Sequence, residues 1–245
     1  MSATEAVEIR VFDDAEQVAR ATAARFVELA DLSLRERGNF SVALSGGSTP
    51  RRVYELLAAD FGERVRWPSV EIFFGDERCV PPEHRDSNYR MADEALLSRV
   101  PLSPASVHRM ACEDDADEGA RRYEQQLRAY FKDQEWPRFD LVMLGMGEDG
   151  HTASLFPYTR ALGEQQAWVV ANRVEHLEAL RLTLTVPAIN HARHVLFNVV
   201  GAGKAERLRE VLQGARDPER LPAQLIRPTT GRLAWFLDRA AAEKL

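Results

Sequence analysis

Four short apolar runs in this chain each end at a cluster of glycine, small and polar residues. The clusters are Ser45–Thr49, Gly75–Arg78, Gly145–His151 and Gly201–Lys204. Continuous apolar runs of about five residues are typical of strands buried on both faces, as in parallel sheets. If these strands are parallel, all four clusters lie at one edge of the sheet, where open α/β sheets place their ligand sites. The pattern predicts an α/β fold with one pocket built from four loops.

The segments between the apolar runs are mostly amphipathic at helical spacing, which predicts alternating strands and helices. The predicted strands are 7–12, 40–44, 70–74, 141–144, 168–171, 180–186, 195–200 and 232–237, with a further extended segment at 221–226. The predicted helices are 14–37, one from Pro50 with Thr49 as its N-cap, 91–97, 120–131, a short turn from Pro187, one from Lys204, and 238–245.

The length of 245 residues suits one large α/β domain or two small ones. No internal repeat or low-complexity linker divides the chain, so we expect a single domain over residues 1–245. The net charge of −6 argues against wholesale nucleic-acid binding. The N-terminus has no signal-peptide pattern, and no apolar run approaches the length of a membrane span. We expect a cytoplasmic monomer that contacts neither nucleic acid nor membrane.

Two cysteines are too few for a disulfide scaffold or a cysteine metal site. We expect Cys79 and Cys112 to be reduced and structural. Five of the six histidines show no metal-ligand spacing and are expected to be structural or solvated. They are His84, His108, His176, His191 and His194. The chain therefore predicts no metal site.

The stretch Phe139–Pro157 carries the most chemistry. A buried strand is followed by a loop that holds three glycines together with Glu148, Asp149 and His151. Histidine is the side chain that exchanges protons near neutral pH, and Asp149 is close enough in sequence to orient its imidazole. The alternative interpretation is a glycine turn with a solvated histidine.

A second loop lies between a strand and a helix. Gly46, Gly47, Ser48 and Thr49 precede Pro50, so the free N–H groups and the positive end of a helix dipole point at one place. This arrangement favours a phosphate site, although it matches neither nucleotide-binding consensus. An ordinary strand-to-helix turn is the alternative.

Two basic residues accompany the other strand ends. Arg78 could meet a substrate anion, or it could simply pair with Asp76. Lys204 follows two glycines at a predicted helix start and could reach the same anion, or it could be a solvated helix lysine. Together, the four loops suggest an enzyme that acts on a small phosphorylated molecule.

Several motifs resemble those of the 6-phosphogluconolactonase family, in order along nearly the whole chain. They are L-S-G-G-S-T-P, G-D-E-R-x-V-P with a following S-N, G-M-G-E-D-G-H-T-A-S-L-F-P, and R-L-T-L-T with G-A-G-K. The resemblance implies a doubly wound, mostly parallel α/β sheet with helices on both faces, a Rossmann-like fold shared with the glucosamine-6-phosphate deaminases. It also implies hydrolysis of 6-phospho-D-glucono-1,5-lactone to 6-phosphogluconate in the pentose phosphate pathway, without metal or cofactor.

The resemblance assigns roles by position. It places the catalytic histidine at His151 and the acid of the same motif at Asp149. Gly46, Gly47, Ser48 and Thr49 match the phosphate loop, and Arg78, Arg181 and Lys204 match basic residues near the phosphorylated substrate. One departure precedes Arg181, where V-E-H-L-E-A-L replaces the Lys- and Pro-rich run of many members.

The implied mechanism has His151 take a proton from water as it attacks the lactone carbonyl, and then return a proton to the ring oxygen. Two alternatives stay open. A sugar-phosphate deaminase or isomerase would share the loops, but those enzymes carry a glutamate after D-G-H, and no carboxylate lies between His151 and Gly163 here. A non-catalytic sugar-phosphate sensor would keep the pocket for binding alone.

Overall fold

The protein is described here by a computed structural model that covers residues 7–245, except for the side chain of His176. Its centre is a six-stranded sheet in the order β1-β9-β8-β5-β2-β3, and every neighbouring pair in it is parallel. The strands are β1 (Glu8–Phe12), β2 (Phe40–Leu44), β3 (Val70–Phe74), β5 (Leu141–Gly145), β8 (His194–Val199) and β9 (Arg232–Asp238). The predicted α/β fold class is confirmed.

The described chain has six α-helices. They are α1 (Ala15–Arg37), α2 (Ser48–Ala59), α3 (Asn88–Ala95), α4 (Ala116–Tyr130), α5 (Val186–Asn190) and α6 (Ala205–Gln213). The central strand β2 is buried at every position, which requires cover on both faces of the sheet. Helix α1 packs against α2 and against β9. Edge strand β1 is mostly exposed.

Helix boundaries follow local chemistry. The Asp14 side chain accepts a hydrogen bond from the N–H of Gln17 and so caps α1, and Gly38 ends that helix in the left-handed conformation at φ +79°. Asp115 caps α4 in the same way, which places the acidic run before α4 at the positive end of the helix dipole.

A second, smaller sheet was not predicted. It is antiparallel, in the order β4-β7-β6, with β4 at Asp76–Arg78, β6 at Val169–Val174 and β7 at Ala179–Leu184. Gly75 lies between the two sheets, since its N–H donates to Leu44 in the large sheet and its carbonyl accepts from Leu184 in the small one. The segment after β3, expected to be a loop, is therefore a strand.

Three local predictions were wrong. Residues 239–244 form turns rather than a terminal helix. The 221–226 segment contains a 3₁₀ helix, Pro222–Leu225, rather than a strand. Helix α2 begins at Ser48 with Gly47 as its N-cap, two residues earlier than the Thr49 cap predicted from Pro50. Pro50 fits the first helical turn because residues there need no intrahelical N–H donor.

The two cysteines, expected to be reduced, form a disulfide. Cys79 follows β4 and Cys112 precedes α4, and their Cα atoms lie 4.9 Å apart although 33 residues separate them in sequence. The expectation was wrong because it rested on the small number of cysteines. That number does not show whether the fold brings two cysteines from distant segments close enough to bond.

Within residues 7–245, no helix combines the length and the apolar character needed to cross a membrane. The expectation about a signal peptide rests largely on residues 1–6, which lie outside the described residues.

His194 provides a test of the packing at the start of β8. It lies opposite Arg232 of β9, and burial together with the charges of Arg232 and Arg25 lowers the pKa of His194 to about 4. An unfolded histidine binds a proton below about pH 6.5, so between pH 6.5 and 4 the unfolded chain holds more protons than the folded chain. Stability should therefore fall as the pH drops through this window.

We expect His194→Gln, which cannot titrate, to reduce the loss of unfolding free energy between pH 7 and pH 5. The expected reduction is about 1 kcal/mol, a figure discounted for partial exposure. Urea unfolding at the two pH values measures it. An unchanged dependence in His194→Gln would contradict the assignment.

Candidate functional site

The loop after β5 is folded tightly around its glycines. The N–H of Gly147 donates to the carbonyl of His151 at 2.9 Å, and the N–H of Gly150 donates to the carbonyl of Gly147 at 3.1 Å. A Cβ atom on Gly147 would lie 2.2 Å from Nδ1 of His151, so only glycine lets the imidazole lie against this backbone. The glycines therefore place the histidine as well as turning the chain.

Asp149 and His151 form the predicted pair. Oδ1 of Asp149 accepts from Nδ1 of His151 at 2.6 Å and from the backbone N–H of His151 at 3.0 Å. Burial acts to raise the pKa of Asp149, but the hydrogen bonds and charge of His151 outweigh it and hold this pKa below its usual value. An ionised carboxylate only accepts, so a neutral His151 carries its proton on Nδ1 and leaves Nε2 as a base.

The imidazole also contacts an aromatic ring that the sequence did not single out. Phe156 stacks on His151 with ring centroids 4.1 Å apart and planes 23° from parallel. Phe156 is buried, whereas the His151 side chain keeps 28% of its surface exposed. The histidine is thus fixed on one side and accessible to solvent on another.

Lys204 reaches the same loop from the end of β8. Its ammonium group donates to the carbonyl of Met146, and burial lowers its pKa, against the opposing charges of Glu148 and Asp149. The neighbouring Arg207 donates to the carbonyl of Glu148 at 3.1 Å. The two glycine loops after β5 and β8 therefore lie in contact, as the sequence predicted.

Arg78 and Arg181 lie directly opposite each other in the small sheet. Burial lowers the pKa of Arg181, and the like charge of Arg78 lowers it further. Arg78 donates from Nη1 to the carbonyl of Asp86 at 2.6 Å, but Nε of each arginine is buried without a hydrogen-bond partner in the described structure. Two adjacent cations with unused donors suit a multiply charged anion such as a phosphate.

Arg181 connects this pair to the histidine. Its guanidinium carbon lies 5.4 Å from the centroid of the Phe156 ring, the same ring that stacks on His151. The ring of Phe156 therefore links the arginine pair of the small sheet to the Asp149–His151 pair in the loop after β5 of the large sheet.

The segment that carries Arg78 is anchored by a buried carboxylate. Glu77 accepts hydrogen bonds from the N–H groups of Arg78, Asn88 and Tyr89, the last two at the start of α3. Burial raises the pKa of Glu77, although these hydrogen bonds act to lower it. The carboxylate stabilises a helix N-terminus and fixes the backbone next to Arg78.

The loop between β2 and α2 presents the start of the helix. Gly47 has φ +105° and offers no side-chain cap, so the N–H groups of Ser48 and Thr49 lack intrahelical acceptors. Gly47 and Ser48 are exposed, and Thr49 is half-buried. A Cβ atom on Gly46 would lie 1.8 Å from Oδ1 of Asn88, so this loop packs directly on the start of α3.

Packing of Gly46 on Asn88, followed by hydrogen bonds from Asn88 through Asp76, connects the β2 loop to the histidine loop. Asn88 donates to the carbonyl of Asp76 at 2.9 Å, and the hydroxyl of Ser154 donates to the Asp76 carboxylate at 2.7 Å. Asp76 therefore bonds to neutral partners rather than pairing with Arg78 as the alternative interpretation supposed. Contacts thus connect all four predicted segments.

Sequence reasoning missed Asn88, Ser154 and Phe156 as parts of the site. Asn88 and Ser154 are uncharged. Each lies in one of the family motifs quoted above, but no sequence pattern gave a reason to assign either of them a role. Their role depends on contacts between segments far apart in sequence, which local patterns do not show. Nowhere in the described chain do three or more His, Cys, Asp or Glu side chains gather in a way that could hold a metal ion.

Comparisons with known proteins identify the family of this chain. The family profile described as "Glucosamine-6-phosphate isomerases/6-phosphogluconolactonase" matches residues 13–235. A 6-phosphogluconolactonase of Synechocystis is 42% identical over 216 residues, which cover 87% of this chain and 88% of that protein. A Nostoc 6-phosphogluconolactonase is 40% identical over 218 residues, 88% of each chain.

Solved structures give the same result. The 6-phosphogluconolactonase from Trypanosoma cruzi superposes with a TM-score of 0.87 at 30% identity and covers 99% of this chain and 98% of its own. A monomeric glucosamine-6-phosphate deaminase reaches a TM-score of 0.80 at 20% identity over 98% of this chain and all of that one, which shows a shared fold only. On both sequence and structure, this chain belongs to the glucosamine-6-phosphate isomerase/6-phosphogluconolactonase family.

Proposed function

We propose that this protein hydrolyses 6-phospho-D-glucono-1,5-lactone to 6-phospho-D-gluconate, the lactonase step of the oxidative pentose phosphate pathway. The relatives named above at 40–42% identity are 6-phosphogluconolactonases, which are lactone hydrolases. The observation that carries the proposal is the contact of the Phe156 ring with both His151, which is paired with Asp149, and Arg181, which lies opposite Arg78. The Nε donors of both arginines have no hydrogen-bond partner in the described structure. A base beside a phosphate site is what this substrate requires.

His151 is the proposed general base. Its Nε2 takes a proton from a water molecule while the water oxygen bonds to the lactone carbonyl carbon, and the carbonyl oxygen becomes an oxyanion. When the carbon–oxygen bond of the ring breaks, the imidazolium returns the proton to the departing ring oxygen. Asp149 keeps the imidazole oriented and stabilises its charged form, since its carboxylate accepts from Nδ1.

Arg78 and Arg181 are the proposed main contacts of the substrate phosphate. A dianion between them would satisfy the unused Nε donors and cancel the repulsion between the two cations. The N–H groups of Ser48 and Thr49, at the positive end of α2, and the ammonium group of Lys204 supply further donors near the same pocket. Fixing the phosphate positions the carbonyl relative to His151.

The oxyanion needs hydrogen-bond donors close to the base. Backbone N–H groups of the glycine loops are the candidates, since Arg78 is assigned to the phosphate. The divergent run before Arg181 forms the tip of the β6–β7 hairpin, with a 3₁₀ turn at Glu175–Leu177. No substrate contact is assigned to that tip.

The test is turnover of freshly generated 6-phosphogluconolactone above its spontaneous hydrolysis, followed as 6-phosphogluconate formation. We expect fast turnover by the native chain, with no added metal. Glucosamine 6-phosphate is assayed in parallel for ammonia release, and none is expected because no carboxylate follows His151 before Gly163. Binding of 6-phosphogluconate without lactone turnover would reject the enzyme in favour of a sensor.

A monomeric state stays a prediction, to be measured by light scattering.

A further inference from the structure

Phe156 contacts the two charged halves of the site at once. Its ring stacks on the imidazole of His151 at 4.1 Å and lies under the guanidinium of Arg181 at 5.4 Å. Stacked aromatic pairs and cation–π contacts both favour specific relative orientations rather than general proximity. The position of this one ring therefore affects where the base and the anion-binding group lie relative to each other.

The ring is itself held by a constrained loop. Ala153 and Tyr158, on either side of it, have φ of +48° and +60°, values that non-glycine residues adopt at a cost. Thr152 donates to the carbonyl of Gly145 at 2.8 Å, and Ser154 donates to Asp76 at 2.7 Å. Backbone strain of this kind persists only where the surrounding contacts over-determine the conformation.

The loop is also fixed from the small sheet. The Asn172 side chain in β6 donates to the carbonyl of Ser154 at 2.9 Å and to the hydroxyl of Thr159 at 3.1 Å. The Thr159 hydroxyl in turn donates to the carbonyl of Phe156 at 2.8 Å. The backbone of Phe156 is thus tied to the sheet that carries Arg181, and its ring reaches the histidine of the other sheet.

We propose that Phe156 is a positioning residue that sets the orientation of His151 and its distance from Arg181. The Asp149 hydrogen bond constrains Nδ1 of the imidazole but leaves the ring able to tilt by rotation about its Cα–Cβ and Cβ–Cγ bonds. Stacking on Phe156 removes this rotation and holds Nε2 towards the open side of the pocket. This inference rests on the proposed function for its kinetic consequences, but its structural part can be measured in the protein without substrate.

The structural readout is the proton on Nδ1 of His151, observed by ¹H NMR far downfield of the amide region. We expect the native protein to show this resonance and His151→Gln to lack it, which assigns the signal. In Phe156→Leu the signal should broaden or disappear, because a mobile ring exchanges this proton with water. Phe139→Leu is the matched control, since Phe139 is equally buried but packs on Phe73 and Phe131 in the core. It should keep the signal.

The kinetic readout separates the two contacts of the ring. In Phe156→Leu we expect kcat to fall about tenfold for both 6-phosphogluconolactone and unphosphorylated glucono-1,5-lactone, because both need His151. KM should rise several-fold for the phosphorylated lactone alone, because only that substrate needs Arg181. A purely structural role would not divide the effects in this way. Phe156→Met, whose unbranched side chain adapts better to the shape left by the ring, replaces Phe156→Leu if the latter does not fold.

Three results would overturn the inference. They are a native protein without the downfield resonance, a Phe156 variant that keeps the resonance unchanged, and a Phe156 variant with kcat within twofold of native. If instead the native chain fails to hydrolyse the lactone while the resonance responds as expected, the proposed function fails and the positioning of His151 by Phe156 stands.

Discussion

Replacement of His151 with glutamine is expected to lower kcat for 6-phosphogluconolactone by about 10²- to 10⁴-fold, the usual contribution of a general base. Glutamine keeps a polar group of similar size in the loop but cannot accept a proton from water. KM should change little, because the proposed phosphate contacts come from other segments. Initial rates above the spontaneous background, at several substrate concentrations, measure both constants.

A control variant distinguishes the loss of the general base from the loss of a half-buried histidine elsewhere in the fold. His191 is half-buried, donates from Nδ1 to the carbonyl of Pro187 at 2.7 Å, and stacks on Trp136. It lies outside the site, so His191→Gln should keep native kcat. If His151→Gln turns the lactone over at the native rate while folded, the base must be another group.

The second large effect concerns the phosphate. Arg181→Met removes one cation of the Arg78–Arg181 pair but keeps an apolar side chain that can pack on Phe156. We expect kcat/KM for 6-phosphogluconolactone to fall about 10- to 100-fold, mainly through KM, the range expected for a lost charge-assisted hydrogen bond. Hydrolysis of glucono-1,5-lactone, which has no phosphate, should keep its native kcat/KM.

Arg173→Met provides the control for this experiment. Arg173 is exposed on β6, in the same small sheet, one strand position away from Asn172, the register partner of Arg181. Its replacement removes an equal charge and should leave both substrates unaffected. Equal losses for the phosphorylated and unphosphorylated lactones in Arg181→Met would mean that Arg181 does not bind the phosphate.

The parallel sheet could be predicted because each of its central strands is short, apolar and followed by a glycine or small-residue break. Strand β2 was predicted at its observed bounds, and β5 to within one residue. Strand β4 could not be predicted, because Asp76–Arg78 consists of three charged residues that form a strand only by pairing with β7. Long-range pairing overrode local propensity there. The disulfide was missed for a related reason, since its two cysteines meet only in the folded chain.

The charged residues of the candidate site and its glycine and hydroxyl loop were named from the sequence, whereas Asn88, Ser154 and Phe156 were not. Asp149 and His151 lie two residues apart, so their contact is nearly local, and the resemblance already named them. The joining of Arg181 to His151 through Phe156 depends on left-handed backbone at Ala153 and Tyr158, which local preferences disfavour. Such features become visible only when the loop is seen in three dimensions.

The division of the site between two sheets has a consequence for how its specificity can change. The proposed base belongs to the loop after β5 in the large sheet, whereas the arginines that would bind the phosphate lie on β4 and β7 of the small one. Under the proposed function, mutation of the small sheet alters which acidic group a substrate must carry while the hydrolytic apparatus stays intact. Substitutions confined to β4 and β7 are therefore expected to be enough to change the substrate of such a lactonase during evolution. The same two strands hold the first residues to vary when this protein is redesigned.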